Sequence, residues 1–463
     1  MTRMKHWCAV AVGFLVCAGS VSAKDLGDIL VEKGLITREE LQQVKEEEKQ
    51  KAAADESRRD AITAKIPKWL DAITLFGDVR TRQEGFYEDG LDARNRFRIR
   101  GRVGLNANVT DEVSATVRLA TGDSNDPIST NQTLGNTFTR KPVNLDWAYV
   151  TLRPGKTFGL EPGWGSVVAG KFGVNAYRTS ELIWDDDLSP EGFTETLNLY
   201  ERREGLLRKF AVNAFEWIQD ENASNKDPWM FGGQVVADAA LGTTANLTMS
   251  LADFNYININ KMATKYLEPT SSSYNSQLAN SNDVVKDPKT GKIVRYKYGF
   301  NIVNFASELN FPDPFGLGIP AGLFEDVAYN TQAEGRNLGL YVGAGIGKAG
   351  KDWYHNGLKN PGDWGAAYTF AWVEKDAILS LVSYSDIDYV QSRATQKGSS
   401  NVVAHILRFD YELFSNFQLT AKAHFINALD LKNSNAINRS DLNKSLQGNP
   451  TLVRTQLDAV LKF

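Results

Sequence analysis

The chain is nearly without cysteine. Only Cys8 and Cys17 occur in 463 residues, and both precede residue 24. The remainder can therefore hold neither a disulfide nor a thiolate metal site. Histidine is almost as scarce, with His355, His405 and His424 the only three after the first 23 residues. No Gly-rich phosphate loop and no metal-spaced cluster is present, and no nucleophile is specified beside His424. These gaps argue against an enzyme and imply neither a cofactor nor a metal. Asp123-Ser124-Asn125-Asp126 comes nearest to a calcium-like turn, but ordinary polar loops carry such runs. Basic charge is also in deficit: 52 Lys and Arg stand against 56 Asp and Glu, a net charge of −4. Without Arg3 and Lys5 the balance is 50 against 56, or −6, which argues against a nucleic-acid partner. Beyond the start, no stretch approaches the roughly 18 apolar residues of a membrane helix.

The first 23 residues read as a secretory signal. Arg3 and Lys5 give a positive start, an apolar segment follows from Trp7 to Val16, and Val21 and Ala23 place the cut after Ala23. The apolar run is too short for a membrane anchor. Val16 precedes Cys17 where a lipid-attachment signal wants Gly or Ala. Residues 24–70 read as a separate helical piece. One short helix covers 25–33 and ends near Gly34. Thr37, with Glu40 three residues on, forms a capping box that opens a second helix, and Pro67 lies just beyond its end near Ala64. Its apolar stripe is thin after Val44. A coiled-coil stalk and a solvated helix at a barrel mouth both fit. The domain boundaries are thus 1–23, 24–70 and 71–463.

From Ile73 onward the period is two. The alternation predicts an all-β fold: an antiparallel transmembrane β-barrel with a short N-terminal helical segment. Sixteen strands are expected at 73–86, 94–108, 113–122, 142–153, 165–173, 194–202, 206–217, 229–240, 244–256, 294–311, 321–331, 337–347, 364–375, 400–413, 417–428 and 451–463. Short turns at 109–112, 203–205, 241–243 and 414–416 alternate with long polar loops at 123–141, 175–193, 257–293, 376–396 and 430–448. Short turns on one rim and long loops on the other is the arrangement of a bacterial barrel. Chain ends on one side require an even count. Residues 378–388 would make a seventeenth strand, so they are read as a loop folding into or over the barrel; eighteen strands is the alternative even count. Glycine and aromatics are plentiful and mean hydropathy is negative, as a lipid face using every second residue requires.

Three strands display that lipid face. The fourth sets Val143, Leu145, Trp147 and Tyr149 on one side against Asn144 and Asp146. The thirteenth sets Trp364, Ala366, Tyr368, Phe370 and Trp372 against Gly365, Ala367 and Thr369. The fifteenth sets Phe417, Leu419, Ala421, Ala423 and Phe425 outward and Gln418, Thr420, Lys422 and His424 inward. Strand ten changes face, from Tyr296, Tyr298, Phe300 and Ile302 to Phe305, Leu309 and Phe311, which a bulge would explain. The last strand alternates Val453, Leu457, Ala459, Leu461 and Phe463 with Arg454, Gln456, Asp458 and Lys462. It resembles the closing strand of bacterial outer-membrane barrels, whose terminal Phe is a signal for the barrel-assembly machinery.

The wider pattern supports a family resemblance. It includes Phe76-Gly77-Asp78-Val79-Arg80, the 94–102 arginine strand, Gly170-Lys171-Phe172, Gly362-Asp363-Trp364, Glu374-Lys375-Asp376-Ala377 and terminal Phe463. Over residues 25–463 the chain resembles the outer-membrane porins of Gram-negative bacteria. The resemblance implies a sixteen-stranded barrel in outer-membrane lipid and lipopolysaccharide, a homotrimer, and passage of small hydrophilic solutes. Peptidoglycan or a periplasmic partner is the expected contact of residues 24–70. The stretch Trp353-Tyr354-His355-Asn356 has no assigned role.

The distinctive chemistry is an arginine ladder. Arg94, Arg96, Arg98, Arg100 and Arg102 occupy every second position of strand two, and Arg80 and Arg82 share the matching face of strand one. One such group at mid-membrane facing lipid costs about 2–4 kcal/mol, so all seven are expected to line the lumen. Asp78, Glu84 and Asp458 are the acids placed to relieve them. The ladder reads either as the basic wall of an anion-favouring constriction or as a salt-bridged scaffold for an inward loop. Loop 175–193 carries Asp185, Asp186 and Asp187. Folded inward, it sets acids across from the arginines; folded outward, it is a solvated loop for divalent cations near lipopolysaccharide. Lys171, on the inward face beside outward Phe172, is expected on the basic side. Two other functions stay open: a substrate-selective channel for oligosaccharides or organic acids, marked by an inward aromatic track that the pattern does not display, and a structural envelope protein tethered through residues 24–70.

Overall fold

Outward apolar and inward polar side chains alternate around a closed ring of sixteen antiparallel strands. The computed structural model describes residues 37–39, 42–43, 72–89, 92–223, 226–276, 278, 280–348, 357–388, 398–430 and 451–463. The chain divides into two units, Met1–Asp71 and Ala72–Phe463. In the first, Arg38, Glu39, Gln42 and Gln43 are helical. The signal segment, its cut after Ala23, most of the 24–70 helix and Trp353-Tyr354-His355-Asn356 lie outside the described residues.

The barrel strands are β1 Ile73–Tyr87, β2 Arg94–Asn108, β3 Val113–Thr121, β4 Val143–Leu152, β5 Gly165–Lys171, β6 Glu191–Glu201, β7 Leu207–Ile218 and β8 Trp229–Leu241. They continue as β9 Ala245–Ile257, β10 Phe300–Phe311, β11 Ala321–Asn330, β12 Leu338–Gly347, β13 Trp364–Val373, β14 Val402–Phe414, β15 Phe417–Ala428 and β16 Leu452–Lys462. Each strand pairs with the next, and β1 also pairs with β16 to close the ring. Mutual hydrogen bonds between Gly77 and Phe463, at 2.9 and 3.0 Å, finish that seam. One rim carries tight turns, where Gly242 and Asn416 take the positive φ values of 67° and 65° that such turns require. The other rim carries the long loops.

Alternation holds cleanly in β1 and β2. Leu75, Val79, Phe97, Val103 and Leu105 are exposed on the outer face, while Asp78, Arg82 and Glu84 are buried inside. In β13 and β15 the outward sets match the pattern read from the sequence: Tyr368, Trp372, Leu419 and Phe425 are exposed, Gln418 and His424 buried. β4 departs from it. Arg118 of β3 faces Trp147 and Leu119 faces Leu145, so Asp146 is an extra residue, a β-bulge. Val143 and Leu145 point outward above the bulge and Val150 and Leu152 below it. Trp147 and Tyr149 therefore face the interior, not the lipid.

Strand ten needs no face change. It begins at Phe300, and Phe300, Ile302, Asn304, Ala306 and Glu308 all point inward. Residues Ile293–Tyr296 belong instead to a small hairpin with Val284–Lys286 in the β9–β10 connection. The inward apolar residues are explained by what meets them. Loops 172–190 and 374–388 fold into the loop-rim half and bury Leu182, Trp184, Ile378, Leu379 and Ile387 against Phe215, Phe254, Ile302 and Ala328. Each such large side chain contributes roughly 1.5–3 kcal/mol. Asp185 N–H donates to the Val382 carbonyl at 2.9 Å, and Tyr384 N–H to the Glu181 carbonyl at 3.2 Å. Residues 378–388 are thus an inward loop, not a seventeenth strand. The Asn282 amide pins it by donating to the carbonyls of Lys375 and Ile378, both at 2.8 Å, beside a Lys375–Asp283 ion pair. Phe172, expected outward, is 2% exposed inside this packing.

Candidate functional site

Because β1 pairs with both β2 and β16, these strands make one continuous stretch of wall. Register sets Asp78 opposite Arg102, Arg80 opposite Arg100, Arg82 opposite Arg98 and Glu84 opposite Arg96. From the other side, Asp458 lies opposite Arg82 and Gln456 opposite Glu84. The ladder is therefore interleaved with carboxylates. Arg82 donates to Asp458 through Nε at 2.7 Å and Nη2 at 2.8 Å, and reaches Asp386 at 3.5 Å. Arg80 lies 4.0 Å from Asp458 and donates to Asn131 at 2.5 Å. Glu84 takes Arg96, Arg98 at 3.9 Å and Arg454 at 2.9 Å. Asp78 takes Arg100 at 2.8 Å and Arg102 at 2.5 Å. Arg94 stands exposed near the loop rim, with its guanidinium 5.6 Å from the Phe86 ring.

Two loop carboxylates complete the set. Asp187 approaches Arg100 and Arg102, each at 3.6 Å, and accepts the Thr130 N–H at 3.0 Å. Asp386 binds Arg454 at 2.6 Å. The seven ladder arginines plus Arg454 make eight guanidiniums; Asp78, Glu84, Asp458, Asp187 and Asp386 make five carboxylates, which leaves a surplus of three positive charges.

The acidic triplet divides three ways. Only Asp187 pairs with arginines of the ladder. Asp186 binds Arg178 of its own loop at 2.5 Å. Asp185 accepts the Ser385 N–H at 3.0 Å and the Asp187 N–H at 2.9 Å, tying the two loops together. Burial would raise the Asp187 carboxyl, but Arg100, Arg102 and Arg80 outweigh it and hold it well below the usual range. Burial, then the Asp187 charge, pushes Asp185 well above its usual range; burial, then Asp186 and Asp185, does the same to Glu181. Lys171 does not join the basic wall. It points outward at the loop end of β5, where it pairs with Glu191 at 2.8 Å and donates to the Ser189 carbonyl. Its neighbour Phe172 takes the inward place instead.

Between wall and loops the lumen narrows. A space of about 90 Å³ is bordered by Arg80 and Arg98 on one side and by Asp185, Asp187 and Asp386 on the other. The Nε atoms of Arg80 and Arg98 are buried there without a hydrogen-bond partner. Toward the turn rim a vestibule of about 660 Å³ shares Arg80, Arg82, Arg100 and Asp187 with this neck. Among the described residues no group of three His, Cys, Asp or Glu is placed to hold a metal ion. His424 faces inward 3.1 Å from the Tyr384 hydroxyl, and His405 stacks outside on Tyr368.

Several residues of the site escaped the sequence reading. Arg118 was legible, because Ser114, Thr116 and Arg118 alternate on the inner face of β3. Arg454 was seen as polar but gained no role until Glu84 was placed beside it. Trp147 and Tyr149 were hidden by the bulge, and no residue type at Asp146 announces one.

Residues 86–422 match the model of a family described as "Putative porin". No curated protein matches the chain. Among solved structures, OprB of Pseudomonas putida at high pH is 12% identical, covering 86% of this chain and 96% of that one with a TM-score of 0.48. Salmonella typhi OmpF in complex with daunomycin is 8% identical, with 84% and 97% covered and a TM-score of 0.45. An anion-selective porin from Comamonas acidovorans is 11% identical, with 85% and 99% covered and a TM-score of 0.43.

Proposed function

The chain belongs to the family described as "Putative porin", and on that premise we propose that its barrel is an outer-membrane channel for passive diffusion of small hydrophilic solutes, favouring anions. The carrying observation is the neck: a space of about 90 Å³ with a surplus of guanidiniums on one side and loop carboxylates on the other. Opposed charges across a narrow, poorly screened gap set up a transverse field, and the positive excess raises the local concentration of anions. Arg80 and Arg98 carry most of that excess, because their nearest carboxylates stand at 4.0 and 3.9 Å and their Nε donors are unsatisfied. No cofactor and no catalytic group enters this reading.

The test is a planar bilayer with a salt gradient. Arg80→Gln with Arg98→Gln should move the reversal potential toward cation preference while discrete conductance steps persist. An unmoved reversal potential would remove these side chains from ion selection. These two are preferable to Arg82 or Arg454, because breaking a tightly bonded buried pair costs about 3–5 kcal/mol and would confound folding with selectivity.

Assembly readings rest on the same premise. A contiguous outer face from β13 through β16 to β2 carries Gln83 bonded to Asn95 at 3.2 Å and Tyr368 bonded to His405 at 2.7 Å, with small Ala366, Ala421 and Ala423 between. Polar groups on a lipid face favour cover by a second copy, which supports a homotrimer. Lipid and lipopolysaccharide would meet the remaining wall, Phe463 would serve the assembly machinery, and residues 24–70 would serve as a periplasmic tether. Deleting 24–70 should leave conductance intact if that segment only tethers.

A further inference from the structure

One row of the inner wall is not used by ion selection. Register carries it across four strands: Phe76 of β1 opposite Gly104 of β2, Gly104 opposite Arg118 of β3, and Arg118 opposite Trp147 of β4. The Phe76 and Trp147 rings lie 6.2 Å apart, Tyr149 lies 6.2 Å from Trp147, and Phe172 lies 6.2 Å from Tyr149. The Arg118 guanidinium sits 3.1 Å from the Trp147 ring centroid. Two glycines make room for the rings. A Cβ on Gly104 would stand 2.5 Å from the Phe76 ring, and one on Gly173 would stand 2.8 Å from the Trp147 indole. The indole N–H is already satisfied by Ser189 at 3.1 Å, so what Trp147 offers a ligand is apolar surface.

Half-buried aromatics in a water-filled vestibule gain nothing from water, and the groups beside them are cationic. Ten of the residues around this vestibule are Lys or Arg, against three Asp. Arg118 spends Nε and Nη2 on Asp146, at 2.6 and 2.5 Å, which leaves Nη1 for a ligand; Arg102 binds Asp78 through Nε and stands near Asp187 through Nη1. We propose that Phe76, Trp147 and Tyr149 form a binding strip for amphipathic organic anions, above all aromatic carboxylates. The ring of the solute lies along the aromatic row, and its carboxylate meets the guanidiniums of Arg118 and Arg102. Neutral sugars would use the rings but leave the cations unmatched; inorganic anions would use the cations but not the rings. The strip rests on the channel reading above and names the solute class of that channel.

The test uses the full-length protein in planar bilayers and, separately, in detergent. Phenylacetate added on the turn-rim side should reduce the chloride current in a saturable manner, while acetate at equal concentration and maltose should not. In Trp147→Ala with Tyr149→Ala, the ratio of phenylacetate to acetate block should fall about tenfold, the loss of two ring contacts. A ratio unchanged in the variant, or equal block by acetate, overturns the strip; block by maltose instead overturns the anion class. Calorimetric titration of phenylacetate into the detergent-solubilised protein, with Trp147→Phe as the ring-retaining control, reads binding without any current. Binding without conductance would keep the strip and overturn the channel. Conductance without selective binding would do the reverse.

Discussion

Two arcs of one barrel use the same inward positions for opposite purposes. On β1, β2 and β16 the inner face is guanidinium and carboxylate, interleaved and facing a cavity. On β9, β10 and β11 the inner face carries Phe254, Phe300, Ile302 and Ala328, closed over by loops that bring Leu182, Leu379 and Ile387. Polar exceptions on that arc serve the packing: Asp326 accepts the Ser180 hydroxyl and the Asn304 amide, both at 2.7 Å. An inward position therefore says nothing about hydration by itself. What decides it is whether water or a folded loop stands opposite.

The sharpest way to break this contrast is to remove the loop. Replacing residues 377–387 by a short Gly-Ser linker should raise single-channel conductance several-fold, because the packed arc loses its cover and the lumen widens. Conductance equal to the unaltered chain would show that the loop does not limit flow.

A gentler perturbation titrates the loops in place. Asp185 and Glu181 have folded values raised above the ordinary carboxyl range, so their contribution to docking is complete at low pH and is lost as pH rises through those values. Asp376, pushed up to about 6 mainly by burial, acts in the same sense. Asp187 and Asp386 are held low, where burial is outweighed by arginines, so their contribution fails only in strong acid. Raising the pH from roughly 4 to beyond 6 should therefore loosen the loops and increase conductance. Asp376→Asn should flatten the lower part of that rise in bilayer recordings; a pH response identical to the unaltered chain would exclude Asp376 as its source.

The smallest effect is the most discriminating about geometry. Lys171→Gln should leave the reversal potential where it is, since Lys171 pairs with Glu191 outside the lumen. A shift toward cations would mean that its charge reaches the ion path after all.

Much of the fold was legible from side-chain alternation alone. The span of β2 matches the expected 94–108, the sixteen-strand count is met, β13 and β15 show the outward and inward sets read from their pattern, and β1 carries Arg80 and Arg82 on its inner face. The errors have two causes. The bulge at Asp146 reverses the parity that sets Trp147 and Tyr149 outside, and hydrophobicity stands in for lipid exposure where Phe172 is expected outside and Lys171 inside. That substitution fails wherever loops or aromatic rows occupy the interior. The contacts of Asp187 with Arg100 and Arg102 depend on how a nineteen-residue connection, 172–190, folds back, and no local period encodes that path.

The supernumerary position at Asp146 also carries an evolutionary consequence. Loss of that single codon would leave Leu145 opposite Leu119 and Trp147 opposite Arg118 in an unbroken ladder, so Trp147 and Tyr149 would keep their inward places while the carboxylate that holds Arg118 would go. One in-frame deletion can thus unbalance the charge beside the aromatic row without moving any of its rings.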